Sequence, residues 1–115
     1  MAVLTVTTIG RAGVDLGATG VAAAGGGDSF VNDGSQLAYF FNGSGGIITI
    51  TEVLGVGGQV DGITPTARTF TVPVTTGQVI VGPFPPSLYN DANGRMNFTY
   101  SGVTSLKVAI LKPGT

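Results

Sequence analysis

The chain has 115 residues with five basic and six acidic side chains, so charged residues make up 10% of it, where about 25% is usual in a soluble domain. It contains no cysteine and no histidine, which excludes disulfides, thiol catalysis, and the commonest general base and metal ligand. A net charge of −1 with scattered basic residues argues against nucleic acid as a partner, and no apolar run reaches the roughly 18 residues that a membrane helix needs.

The first quarter of the chain predicts one strand and then a flexible stretch. Residues 3–9 (VLTVTTI) alternate in polarity, with Leu4 and Val6 on one face, which indicates a strand. The small and glycine-rich residues 17–28 are interpreted as a linker, a low-relief strand or an arm. Because no basic region precedes the first apolar residues, we expect no signal peptide and synthesis in the cytoplasm.

The middle of the chain predicts a hairpin. Residues 36–42 (QLAYFFN) form a near-continuous apolar run, which is typical of a strand covered on both faces. The sequence NGSGG at 42–46 is a turn signal. Residues 47–54 (IITITEVL) are then expected to pair back, with Ile48 and Ile50 on the same face.

The remaining strands are separated by further turn signals, and they are predicted at residues 67–74, 78–84, 95–101 and 104–111. About seven strands at this spacing are typical of an all-β sandwich or barrel. We therefore expect essentially no helix and a single domain over residues 1–115. Its fold is predicted to be a two-sheet sandwich, jelly-roll-like or immunoglobulin-like, with a candidate arm within residues 1–28.

Two short motifs resemble ligand-binding loops but lack the residues that would make them functional. AGGGDSF at 24–30 is glycine-rich, yet the Gly-Lys-Ser/Thr ending of a phosphate loop does not follow. NDANG at 90–94 offers Asp91 alone, whereas calcium requires six to eight oxygen ligands. Both are interpreted as turns. Since the acids are dispersed and no histidine is present, we expect neither an enzyme nor a metal or cofactor site.

The segment GPFPPSLYNDANG, residues 82–94, is the candidate functional region. Its three prolines exclude a central strand, because proline cannot donate to a sheet. Its apolar side chains have two interpretations: they plug the open end of the sandwich, or they pack against a neighbouring subunit as interface anchors. The candidate interface residues are Phe84, Pro85, Pro86, Leu88 and Tyr89.

The low charge also bears on assembly. Isolated soluble domains usually rely on more surface charge than this chain has. We therefore expect other subunits to cover much of its surface.

The succession of short segments along nearly the whole chain resembles the small β-rich head decoration, or cement, proteins of tailed bacteriophages. The segments are RAGV, AAAGGGDSFVNDG, an apolar strand that ends in Asn42, ITIT, VDGIT, RTFTVPV and VGPFPPSLYNDANGRMNFTYSGVTSLKVAIL. The resemblance implies a structural virion protein that binds the major capsid protein across capsomer junctions, as a trimer on the outer capsid surface. It implies no cofactor, and it transfers no functional residue.

Two alternatives remain open. One is a carbohydrate- or receptor-binding sandwich of a phage fibre, in which Tyr39, Tyr89 and Tyr100 would be exposed and stack on sugars. The other is a structural protein of the tail or connector.

Overall fold

Two packed β-sheets build the protein, which confirms the predicted all-β sandwich. The computed structural model describes residues 2–55, 63 and 66–114. The strands are β1 (Ala2–Val3), β2 (Val6–Ile9), β3 (Val21–Ala22), β4 (Asp28–Val31), β5 (Leu37–Asn42), β6 (Ile48–Val53), β7 (Thr69–Val72), β8 (Gly77–Val81), β9 (Arg95–Tyr100) and β10 (Leu106–Pro113). The short helices are α1 (Leu16–Thr19) and α2 (Pro86–Tyr89). Within the described residues, no helix is long and apolar enough to cross a membrane.

The strand order is that of a jelly roll. The sheets run β1-β4-β9-β6-β7 and β2-β10-β5-β8, and β3 also pairs with β10. The antiparallel pairs β3–β10, β4–β9, β5–β8 and β6–β7 bring the chain together as one long hairpin. The antiparallel pairs β5–β10 and β6–β9 then roll that hairpin into two sheets. This double Greek key selects the jelly-roll topology over the immunoglobulin-like one.

The hairpin predicted between residues 36–42 and 47–54 is wrong. β5 pairs with β8 and β10, whereas β6 pairs with β7 and β9, so the connection between β5 and β6 crosses from one sheet to the other. Asn42, fully buried, fixes this crossing. Its amide donates to the Gly46 carbonyl at 2.9 Å and to the Val72 carbonyl of the opposite sheet at 3.1 Å.

The strand predicted over residues 3–9 is divided between the sheets. β1 runs parallel to β4, and β2 runs parallel to β10. Leu4 lies between the two strands and belongs to the core. The residues proposed as an arm lie against the sandwich, because β1, β2 and β3 all pair with strands of its sheets.

Aromatic rings fill the space between the sheets. Phe98 packs edge-on against Phe40, with ring centroids 5.2 Å apart, and stacks on Phe30 at 5.8 Å. A smaller apolar cluster lies outside this core, where Val14 and Leu16 are among the residues that cover the outer side of β5 and β10. β5 is therefore covered on both faces, as its continuous apolar run predicted.

Candidate interface and cleft at the proline segment

Two neighbouring edge strands and the segment that follows them contain no charged residue. β7 and β8 are the edge strands of the two sheets and contact each other, and the proline segment follows β8 directly. No acidic or basic residue occurs between Arg68 and Asp91. We call residues 69–90 the uncharged edge. This run of 22 residues without an acidic or basic side chain is visible in the sequence, and it is the signal by which the uncharged edge could have been predicted.

The aromatic residues of the proline segment point inward. The side chains of Phe84 and Tyr89 are 3% and 6% exposed. The Phe84 ring lies 5.9 Å from that of Tyr89 and 5.6 Å from that of Phe98, so both residues extend the chain's own core. The remaining candidate interface residues are the half-buried Leu88 and the exposed Pro85 and Pro86. The plug interpretation describes Phe84 and Tyr89, while the three prolines of the segment are among its exposed residues.

A buried asparagine holds the segment in place. The side-chain amide of Asn32 donates to the Phe84 carbonyl at 3.1 Å and to the Asn90 side-chain oxygen at 2.8 Å. Asn90 returns a bond from its own amide to the Asn32 carbonyl at 2.8 Å. On the other side, the Gly55 backbone donates to the Leu88 carbonyl at 3.0 Å. A Cβ at Gly55 would overlap the Asn90 carbonyl, which explains the glycine.

The sequence NDANG forms the predicted turn. The Asp91 carboxylate accepts hydrogen bonds from the backbone of Asn93 at 2.8 Å and Arg95 at 3.1 Å, and from the Asn97 amide at 3.0 Å. The bond from Asn97 is the largest influence that lowers the pKa of Asp91. Gly94 takes a positive φ of 76° at the end of the turn. Among the described residues, no three acidic side chains come together as metal ligands would.

The strand β8 leaves one of its edges open. It pairs with β5, and no other described strand forms a hydrogen-bonded ladder with it. Ile80 in this strand is 59% exposed, and neither charge nor proline interrupts the strand itself. Free edges in natural proteins are usually protected by charged side chains, prolines or bulges. β8 has none of the first two, so it is available for contact with another chain.

A cleft opens beside the proline segment, with a volume of about 380 Å³. Its lining includes Glu52 from β6, Arg68 before β7, and the segment residues Pro83, Pro85 and Leu88. Burial is the main cause that raises the pKa of Tyr89, which also lines the cleft, and the neighbouring Glu52 carboxylate adds to the effect. Arg68 acts in the opposite direction. The carboxylate, the guanidinium and the phenol are therefore close neighbours.

A second buried carboxylate lies in the core. Asp28 is fully buried, and its Oδ2 accepts hydrogen bonds from the Tyr100 hydroxyl at 2.7 Å and the Ala24 backbone at 3.2 Å. Its Oδ1 has no hydrogen-bond partner among the described residues. Burial, followed by the bond to Asp28, raises the pKa of Tyr100 far above its ordinary value. Sequence reasoning missed both buried acids, although Glu52 continues the inward alternation of Ile48 and Ile50.

The stacking surface of three exposed tyrosines is not formed. Tyr39 and Tyr89 are buried, and Tyr100 is half-buried with its hydroxyl bonded to Asp28. The carbohydrate-binding alternative, as based on these three rings, requires them to be exposed, and the structure does not meet that requirement.

No family model matches the chain, and comparison with curated proteins and with solved structures found no significant similarity.

Proposed function

We propose that this chain is a structural virion protein that decorates the outer surface of a tailed-phage capsid. In this role it binds the major capsid protein across capsomer junctions and associates with copies of itself as a homotrimer. It is synthesised in the host cytoplasm, and it carries out no chemistry and uses no cofactor. The observation that carries the proposal is the uncharged edge, in which the strand β8 pairs with β5 on one side and with no described strand on the other.

The uncharged edge is suited to permanent contact with protein. Exposed backbone groups along β8 and the exposed Ile80 side chain would favour uncontrolled pairing unless a defined partner covers them. Permanent interfaces are more apolar than transient ones, and charged residues are depleted at their centres. The absence of charge over residues 69–90 fits such an interface.

The dimensions of the domain also support the proposal. It measures 42 × 36 × 19 Å, so a narrow side offers roughly 700–800 Å² for contact. A stable interface of standard size buries about 800 Å² on each partner. One narrow side is therefore large enough for a specific contact with a neighbour.

The assembly part of the proposal is tested by Ile80→Lys, which places a charge on the open strand. Light scattering at micromolar concentration is expected to show a trimer for the wild type and a monomer for the variant, with unchanged circular dichroism. Thr99→Lys is the matched control, because it puts the same charge on the exposed face of the central strand β9 and is expected to leave the trimer intact. A monomeric wild type would contradict self-assembly.

The location is tested separately by cryo-electron microscopy of particles made with and without the gene for this chain. Density on the outer capsid surface that disappears with the gene is the expected result. Density on the tail or connector instead would contradict the decoration role and leave a structural role in the particle. Absence of the chain from particles would overturn the proposal.

A further inference from the structure

We propose that the cleft beside the proline segment binds a saccharide, which Glu52 and Arg68 hold by hydrogen bonds to its hydroxyl groups. This inference goes beyond the structural role proposed above and does not depend on it. The cleft lies between β6, the residue preceding β7, and the segment from Gly82 to Tyr89.

The first observation is that the Glu52 carboxylate is buried in the wall of the cleft. Its side chain is 5% exposed, yet it lines the cleft. The one ion pair within the described residues joins Lys112 to Asp33, so no described cation pairs with Glu52 at ion-pair distance. Burying a carboxylate is costly unless hydrogen-bond donors surround it. A carboxylate accepts up to about four hydrogen bonds, and the adjacent Tyr89 hydroxyl offers one donor.

The neighbouring Arg68 narrows the chemical class of the ligand. A cationic ligand at Glu52 would meet the guanidinium, and an anionic ligand at Arg68 would meet the carboxylate. A neutral hydroxyl group satisfies both, because it can donate to Glu52 while it accepts from Arg68. Several hydroxyls held on one small ring, as in a saccharide, match this pair of opposite charges.

The walls and rigidity of the cleft fit the rest of such a ligand. Pro83, Pro85 and Leu88 present apolar C–H surfaces, against which the apolar face of a sugar ring can pack. The volume of about 380 Å³ lies within the range of small-molecule sites. The hydrogen bond from Asn32 to the Phe84 carbonyl fixes the segment before binding, which reduces the entropy lost on binding.

The test is a titration of the ¹⁵N-labelled protein with glucose, galactose, mannose and N-acetylglucosamine at millimolar concentration, followed by NMR. At least one sugar is expected to shift the amide signals of Glu52, Arg68, Phe84 and Leu88. Glu52→Gln preserves the shape of the side chain but removes its charge. It is expected to weaken binding about tenfold or more, the usual effect of losing a charge-assisted hydrogen bond.

Arg68→Gln is expected to weaken binding as well, whereas Arg11→Gln, at an exposed site on the loop before α1, is the matched control and should leave it unchanged. Absence of a shift with every sugar would overturn the proposal. Shifts that persist unweakened in both cleft variants would also overturn it. Butylammonium chloride serves as a cationic probe, and shifts caused by it alone would assign the cleft to a cation instead. The same NMR titrations can be repeated with the Ile80→Lys variant, which is expected to be monomeric. The outcome for the cleft therefore does not depend on whether the chain forms a trimer.

Discussion

Removal of the Phe84 ring tests whether the proline segment closes the sandwich. Phe84 is 3% exposed, and its ring contacts those of Phe30, Tyr89 and Phe98 at centroid distances of 6.0, 5.9 and 5.6 Å. Truncating a buried phenylalanine to alanine usually costs about 3–5 kcal/mol. We expect Phe84→Ala to lower the free energy of unfolding by that amount. The loss is a large fraction of the roughly 5–15 kcal/mol typical of a whole domain.

The assay is urea unfolding followed by far-ultraviolet circular dichroism, with tyrosine fluorescence as a second probe because the chain has no tryptophan. Phe84→Leu keeps much of the buried volume and is expected to cost about 1–2 kcal/mol. Pro85→Ala, at an exposed neighbouring position, should change stability by less than about 1 kcal/mol. Each variant is measured at two protein concentrations, because association would make the midpoint depend on concentration.

One result would refute the plug interpretation. If Phe84→Ala costs less than about 1 kcal/mol and at the same time abolishes self-association, the ring is an anchor for a neighbouring subunit and not part of this core. Tyr89→Ala is an independent test at the next aromatic position. Because Tyr89 is also a buried aromatic residue, this variant is expected to lower the free energy of unfolding by about 3 kcal/mol.

Three further predictions concern buried or hydrogen-bonded polar groups. Asn42→Ala should cost at least about 2 kcal/mol in the urea assay, because the buried Val72 carbonyl loses its side-chain donor and the crossing between sheets is released. Since the pKa of Tyr100 is raised when the protein is folded, its contribution to stability is full below the ordinary value of 10.0 and is lost as the pH rises above it. In thermal melts above pH 10, the melting temperature of Tyr100→Phe should fall less with increasing pH than that of the wild type. The pKa of Asp91 is lowered on folding, so its contribution is full above the ordinary value of 3.8 and is lost as the pH falls below it. In thermal melts at acidic pH, the melting temperature of Asp91→Asn should fall less steeply with decreasing pH than that of the wild type.

Faces of individual strands could be predicted from the sequence, because alternation is a local property. Ile48 and Ile50 point into the core as their spacing predicted, and the apolar run at 36–42 is covered on both sides. The partners of these strands could not be predicted. β5 pairs with β10, which lies more than sixty residues later, and the NGSGG signal looks the same whether the chain turns within a sheet or crosses to the other.

The candidate site was located by its prolines, but the direction of its side chains depends on contacts distant in the sequence. Asn32 fixes the Phe84 carbonyl from 52 residues away, and Asn90 pairs with Asn32 across 58 residues. Neither asparagine carries a local signal of this role. Glu52 does carry one, because it occupies the position after Ile48 and Ile50 where the alternation requires an inward residue, and an acid at such a position indicates a special environment.

The proposed trimer constrains how the uncharged edge is used. If β8 paired with β8 of a second copy, the same surface would serve both partners, and the contact would close as a dimer. A ring of three requires the uncharged edge to meet a different surface of its neighbour. The opposite side of the sandwich offers one, since the edge strands β1 and β3 lie there and expose Val3 and Val21. The trimer therefore predicts that Val21→Lys disrupts assembly as Ile80→Lys does. Light scattering that shows a dimer disrupted by Ile80→Lys alone would replace the ring by direct pairing of two β8 strands.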